Sequence, residues 1–232
     1  MKLRRIFVVA IALADIAATT FAKDPIRLWA PPEHLSAVAP FNEADKAFHR
    51  GDLAMARRKL VETLERVPNF WPAFYTRAKI SATEGKWELV IRDCNEVMKM
   101  YPKFIPAALL RAIANAELHH YETALKEFNH VIRIGPRPDF LAEAYNDRAW
   151  LLASCPDHAI ANSRKAVQDA THACNMTGWH DGATIDTLAR AYAAQGDFES
   201  AIRYEEKALQ RQPSKKKEAR LVLFKQHQSA AH

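Results

Sequence analysis

Thiols and imidazoles are the side chains that ligate soft metals and act as nucleophiles or bases near neutral pH. This 232-residue chain has three cysteines, Cys94, Cys155 and Cys174, and ten histidines. His119, His120, His130, His158, His172 and His180 are the candidates for a metal site. Zinc sites use tight spacings such as C-x2-C, H-x3-H or the catalytic H-E-x-x-H. None of these occurs, and "ELHH" at 117–120 reverses the order that sets two ligands and a base on one helix face. No G-x-S-x-G elbow, phosphate-cradling Walker loop or G-x-G-x-x-G turn is present either. The residues therefore point to no metal, no cofactor and no catalytic centre.

The other chemistry on offer is charge. The run "SKKKEAR" at 214–220 could meet anionic lipid, an acidic polymer or nucleic acid through Lys215, Lys216, Lys217 and Arg220. The formal charge of +6 resides at the ends. Lys2, Arg4 and Arg5 stand against Asp15 at the start, and five basic residues stand against Glu218 after residue 212. Between them, 23–212 balances 25 basic with 25 acidic residues. A neutral body excludes an overall basic field.

The N-terminus "MKLRRIFVVAIALADIAATTFAKD" has the zones of a secretory signal: basic residues, an apolar run from Ile6 to Ala14, and small residues around Ala22. Asp15 ends that run well short of the ~20 apolar residues of a membrane span. The expectation is cleavage after Ala22, export to the periplasm or beyond, and no membrane span afterwards. Export also argues against nucleic acid as a partner. Residues 23–36, with Pro25, Pro31 and Pro32, read as an extended lead-in.

A spacing runs through the rest. Pro68, Pro102 and Pro136 recur every 34 residues. Gly51, Gly85, His119 and Gly196 each lie seventeen residues before a proline, the last being Pro213. Two residues after these breaks comes a large side chain: Leu53, Trp87, Tyr121 and Phe198. Five after them come Ala56, Val90, Ala124 and Ala201, and twelve after them Thr63, Val97, Val131 and Ala208. Small side chains there let two helices approach. In "AYAAQGDFESAIRYEEKAL", Gly196 ends one helix in the left-handed conformation and Asp197 caps the next. His119 must adopt the same left-handed conformation, which histidine tolerates better than most side chains.

These residues and this interval resemble the tetratricopeptide repeat, a 34-residue helix–turn–helix unit, of an exported bacterial type. Arg77 and Arg111 depart from it, standing where the family prefers leucine. The resemblance implies an all-α, right-handed superhelical solenoid of five hairpins, 37–70, 71–104, 105–138, 139–181 and 182–213. The fourth has a turn, "SCPDHAIAN", about five residues longer than the others. A basic capping helix and tail, 214–232, closes the array, with Leu221, Leu223 and Phe224 inward and the lysines turned to water. Cys155 and Cys174 then fall at opposite ends of one hairpin, ~18 Å apart, too far for a disulfide, which needs about 7 Å between Cα atoms. Cys94 reads as a buried helix-B residue.

Function by this resemblance is protein–protein interaction: an extended peptide or partner helix lies in a concave groove lined by each hairpin's first helix. The corresponding positions are Phe41, Asp45, Tyr75, Lys79, Leu109, Ile113, Asn146, Trp150, Asp186 and Arg190. The groove lacks the Lys/Asn/Arg set that clamps a terminal carboxylate. Tyr75, Leu109, Ile113 and Trp150 suggest an apolar or aromatic segment, although Leu109, Ile113 and Trp150 suit packing between hairpins equally. The rival reading is a binder of an anionic surface through the C-terminal lysines.

Overall fold

The computed structural model describes residues 32–135 and 137–230. The signal segment, most of the lead-in and Pro136 lie outside the described residues. The described residues form eleven α-helices, with one short 3-10 turn, Pro32–His34, ahead of them and no strand. None of the described helices is long and apolar enough to cross a membrane. The chain divides into two compact units, one ending at Leu118 and the other beginning at His119.

The first unit holds α1 (Leu35–His49), α2 (Leu53–Arg66), α3 (Trp71–Thr83), α4 (Trp87–Met100) and α5 (Ile105–Glu117). Consecutive helices pack on one another. Asp52 caps α2 through the Met55 amide, and prolines open α3 and α5, where no intrahelical donor is needed. Pro40 lies inside α1 and cannot donate to the Ser36 carbonyl. Arg66 Nη1 donates to that carbonyl instead, at 3.1 Å, so the interior proline leaves no orphan there. Phe41, Leu60, Phe70 and Ile80 form one core with Ala44, Ala56 and Ala73; Tyr75, Val90, Cys94, Val97 and Leu110 form the next.

The second unit holds α6 (Tyr121–Ile134), α7 (Pro138–Ser154), α8 (Ser163–Met176), α9 (Gly182–Gln195), α10 (Phe198–Arg211) and α11 (Lys215–Ala230). Eight residues, 155–162, join α7 to α8, where three, 50–52, join α1 to α2. Asn162 closes the longer turn: its amide donates to the Leu152 carbonyl and its side chain caps α8. All three cysteines are free, with Cys94 and Cys174 in the core.

The eight small positions read from the 34-residue interval are all completely buried. His119 sits at φ +65° and Gly196 at φ +86°. Two further left-handed residues, Gly178 and Trp179, both at φ +60°, lie outside the 34-residue interval. Trp179 is held there by its indole N–H on Asn175 Oδ1 at 3.0 Å, by stacking on Tyr204, and by Lys207 Nζ 4.2 Å from its ring.

Helix α11 corrects the expectation for the cap. Phe224 does turn inward, onto Ala189 and Ala201, but Leu223 and Val222 are 50% and 54% exposed. Lys217 is buried instead, donating to the carbonyls of Gly182 and Gln212. The Gln212 carbonyl, at the end of α10, lacks a helical donor, and the Gly182 carbonyl has a second lone pair to offer; one ammonium meets both. Lys217, Arg220, Leu221 and Phe224, spaced three and four apart, are thus the inward stripe.

Gly182 is present for space. A Cβ there would lie 2.8 Å from Gln212 Cβ and 3.2 Å from the Ala208 carbonyl oxygen, atoms fixed at the end of α10. Gly182→Ala is expected to cost about 1–3 kcal/mol through this overlap, despite alanine's better helix propensity. A urea midpoint equal to wild type would show that α9 and α10 do not approach this closely in solution.

Candidate partner-binding surface

In the first unit the six anticipated contact residues come in pairs four apart, each pair on one face of α1, α3 or α5. Five of them are buried. Phe41 meets Phe70 edge-on at 5.3 Å, and Tyr75 meets Phe104 at 5.2 Å. Leu109 and Ile113 are covered, in keeping with the packing alternative. Lys79 is 3% exposed, its Nζ lying 4.8 Å from the Phe48 ring centre and 5.7 Å from that of Tyr75. Its charge is thus held over two aromatic faces. Asp45 faces outward, beside His49.

In the second unit α7 presents Asn146 and Trp150, and α9 presents Asp186 and Arg190. Trp150 is buried, while Asn146 is partly exposed and donates to Asp147 Oδ1 at 3.2 Å. Asp186 Oδ2 accepts from Arg190 Nε at 3.1 Å. Asp186 Oδ1 accepts from Arg220 Nη2, which also donates to the fully buried Glu205 at 2.6 Å. Residues of the two rival sites therefore bond to each other: Arg220 joins the cap to α9 and α10. Burial pushes the Glu205 carboxyl up to about 7 and the Arg220 guanidinium down to about 10. Their 2.6 Å contact opposes both shifts and favours the ionic form. Of Lys215, Lys216, Lys217 and Arg220, only Lys215 and Lys216 are exposed.

The side chains that sequence reasoning missed are arginine partners. Arg77, a departure from the family pattern, makes a two-pronged bond to the buried Asp93 at 2.7 and 2.8 Å. Arg148 does the same to Asp169 at 2.7 and 2.9 Å, and its Nη1 donates to Asn129 at 2.5 Å. Arg111 donates to Asn95 at 2.7 Å. Asn95 and Asn129 are one 34-residue interval apart, and each accepts from an arginine of a following first helix. That recurrence was the available signal. Among the histidines, His119 Nδ1 lies 2.7 Å from the Tyr121 hydroxyl, and His130 accepts from Arg133. No three His, Cys, Asp or Glu side chains among the described residues come together as metal ligands.

No protein-family model matches the sequence, and no curated protein is significantly similar to it. Solved structures are similar. TTC0263, a thermophilic TPR protein of Thermus thermophilus, superposes with a TM-score of 0.65 at 17% identity, covering 81% of this chain and 98% of that one. A tetratricopeptide repeat protein from Parabacteroides merdae gives 0.63 at 18% identity, covering 84% and 76%. YrrB, a TPR protein with an unusual peptide-binding site, gives 0.59 at 14% identity, covering 82% and 92%. With these likenesses and its consecutive packed helix pairs, the chain has the fold of the tetratricopeptide repeat proteins, an all-α solenoid of helical repeats.

Proposed function

We propose that this chain is a non-catalytic scaffold for protein–protein interaction in the periplasm or cell envelope, holding a peptide or partner helix against the first helices of its hairpins. The observation that carries this reading is the repeat fold it shares with YrrB, a peptide-binding protein, over 82% of the chain. The mechanism is preorganisation: a surface of packed helices loses little entropy when a segment settles on it, so the ordering cost falls on the ligand. In the first unit Asp45 makes the direct contact, and Phe41, Tyr75, Lys79, Leu109 and Ile113 form the packed base. In the second, Asn146 and Arg190 make the contacts, with Trp150 packed beside them and Asp186 orienting Arg190. The anionic-surface alternative retains Lys215 and Lys216, while Lys217 and Arg220 are engaged within the fold.

The test is a selection of random 12-residue peptides on the purified protein. Peptides that bind wild type are expected to lose at least tenfold in affinity on Asn146→Arg or Asp45→Arg. They are expected to be unaffected by Lys215→Ala/Lys216→Ala. Ligands that are all acidic, salt-sensitive and lost on the double lysine change would move the function to the cap.

A further inference from the structure

Five carboxylates are buried among the described residues: Asp93, Asp147, Asp169, Asp186 and Glu205. Four of them accept from an arginine of this chain: Asp93 from Arg77, Asp169 from Arg148, and both Asp186 and Glu205 from Arg220. Asp147 does not. It is 3% exposed; its Oδ1 takes one hydrogen bond, from Asn146, and its Oδ2 takes none from the described residues. Asn146 Oδ1 is likewise buried without a donor.

Asp147 stands in a particular place. Glu143, Asn146, Asp147 and Trp150 are spaced three and four apart, so they share one stripe of α7. Glu143 is partly exposed, and the charges that act on it are those of Asp147 and Asp139, both acidic. Burial and this company push the Glu143 carboxyl well up, and burial pushes that of Asp147 to about 7. The two unsatisfied oxygens on the stripe, Asp147 Oδ2 and Asn146 Oδ1, are both acceptors. Buried acceptors of one kind call for a donor, and a buried carboxylate calls for a cation. The described residues bring no third metal-ligating side chain to the stripe. The complement is an organic cation that can donate to more than one oxygen, as guanidinium and ammonium groups do.

We propose that the cation for Asp147 comes from the partner: Glu143, Asn146 and Asp147 seat a basic side chain, arginine or lysine, of the bound protein segment. This rests on the scaffold reading and gives it a specificity. Glu143, at the surface, meets the incoming charge first. The Asp147 and Asn146 oxygens then take its N–H groups, much as the chain's own arginines satisfy the other buried carboxylates. A basic residue on the ligand is required at this position, whereas an acidic one would face two carboxylates.

The test uses small probes first. Nα-acetyl-arginine amide, Nα-acetyl-lysine amide and the neutral Nα-acetyl-citrulline amide are titrated into the purified protein, with the Trp150 indole N–H resonance as reporter. The arginine or lysine probe, or both, is expected to give a saturable shift at millimolar concentration, and the citrulline probe none. Glu143→Gln/Asp147→Asn is expected to weaken the response at least tenfold. These are neutral replacements of nearly equal shape and should keep the fold, which the melting curve confirms. A citrulline probe as effective as arginine, or no response to any probe, overturns the proposal. In the 12-residue selection, wild-type binders should be enriched in Arg or Lys at one register, and the double variant's binders should not. Binders lost on Asn146→Arg but without basic enrichment would overturn the cation seat and leave the scaffold reading standing. No binders at all, with the arginine shift present, would leave the seat standing and remove the peptide-scaffold reading.

Discussion

Arg148→Ala is expected to lower stability by about 3–5 kcal/mol, the cost of leaving a buried carboxylate without its partner. Arg148 is an α7 residue that bonds Asp169 on α8 with two prongs and Asn129 on α6 with a third, so one guanidinium ties three helices. Its removal leaves Asp169 with Lys165 Nζ at 3.2 Å, on a side chain that is 44% exposed and cannot replace the fork. Arg148→Lys keeps the charge and loses the geometry, so an intermediate loss is expected. Arg148→Met with Asp169→Leu is expected to recover much of the stability, because an apolar pair needs no desolvation of charge. Arg77→Ala should cost less than Arg148→Ala, since its side chain is the more exposed of the two. Urea unfolding followed by circular dichroism reads the series. Equal midpoints for wild type and Arg148→Ala would show that the ion pair does not form in solution.

This network marks where the sequence stopped being legible. The 34-residue interval reports what every hairpin must do: turn in a left-handed conformation and let two helices approach. Hence Ala56, Val90, Ala124 and Ala201 could be read as buried, and His119 as left-handed, from spacing alone. Polar pairing obeys no such fixed interval. Arg77 reaches Asp93 sixteen residues on, whereas Arg148 reaches Asp169 twenty-one residues on, because the eight-residue turn lies between them. The expected contact positions share helix faces by their four-residue spacing, but spacing says nothing of how closely neighbouring helices cover those faces. Leu109 and Trp150 are consequently buried where a free surface was one of the two expectations. In the cap, hydrophobicity favoured Leu223 inward, yet Lys217 turns in to donate to the carbonyls of Gln212 and Gly182, and Leu223 faces out. A lysine's role there depends on atoms of Gly182, 35 residues away.

The pH dependence of stability should carry the signature of Asp147. Burial raises its carboxyl to about 7 in the folded chain, partly offset by the bond from Asn146, whereas an unfolded aspartate titrates near 4. The folded state therefore binds a proton more tightly than the unfolded one. Its contribution is fully present below about pH 4 and is lost as the pH rises through the window from about 4 to 7, with no further change above. At about 1.4 kcal/mol per pH unit, the loss over these three units is on the order of 4 kcal/mol before relaxation of the site. Glu143 moves in the same direction, since burial and the neighbouring carboxylates also raise its carboxyl. Asp147→Asn keeps the shape and removes the charge, so the variant should melt higher than wild type at pH 8 and close to it at pH 5. The difference between the two proteins reports this group together with its effect on Glu143, whose carboxyl the Asp147 charge helps to raise. An arginine-bearing ligand should reverse the sign: with a cation seated, the ionised form is the bound form, and binding should release protons at pH 6 to 7. Calorimetry in buffers of different ionisation enthalpy measures that release directly. A melting difference that stays flat from pH 5 to 8 would show that Asp147 is already compensated in the free protein, and its proton would not be available to exchange for a partner's charge.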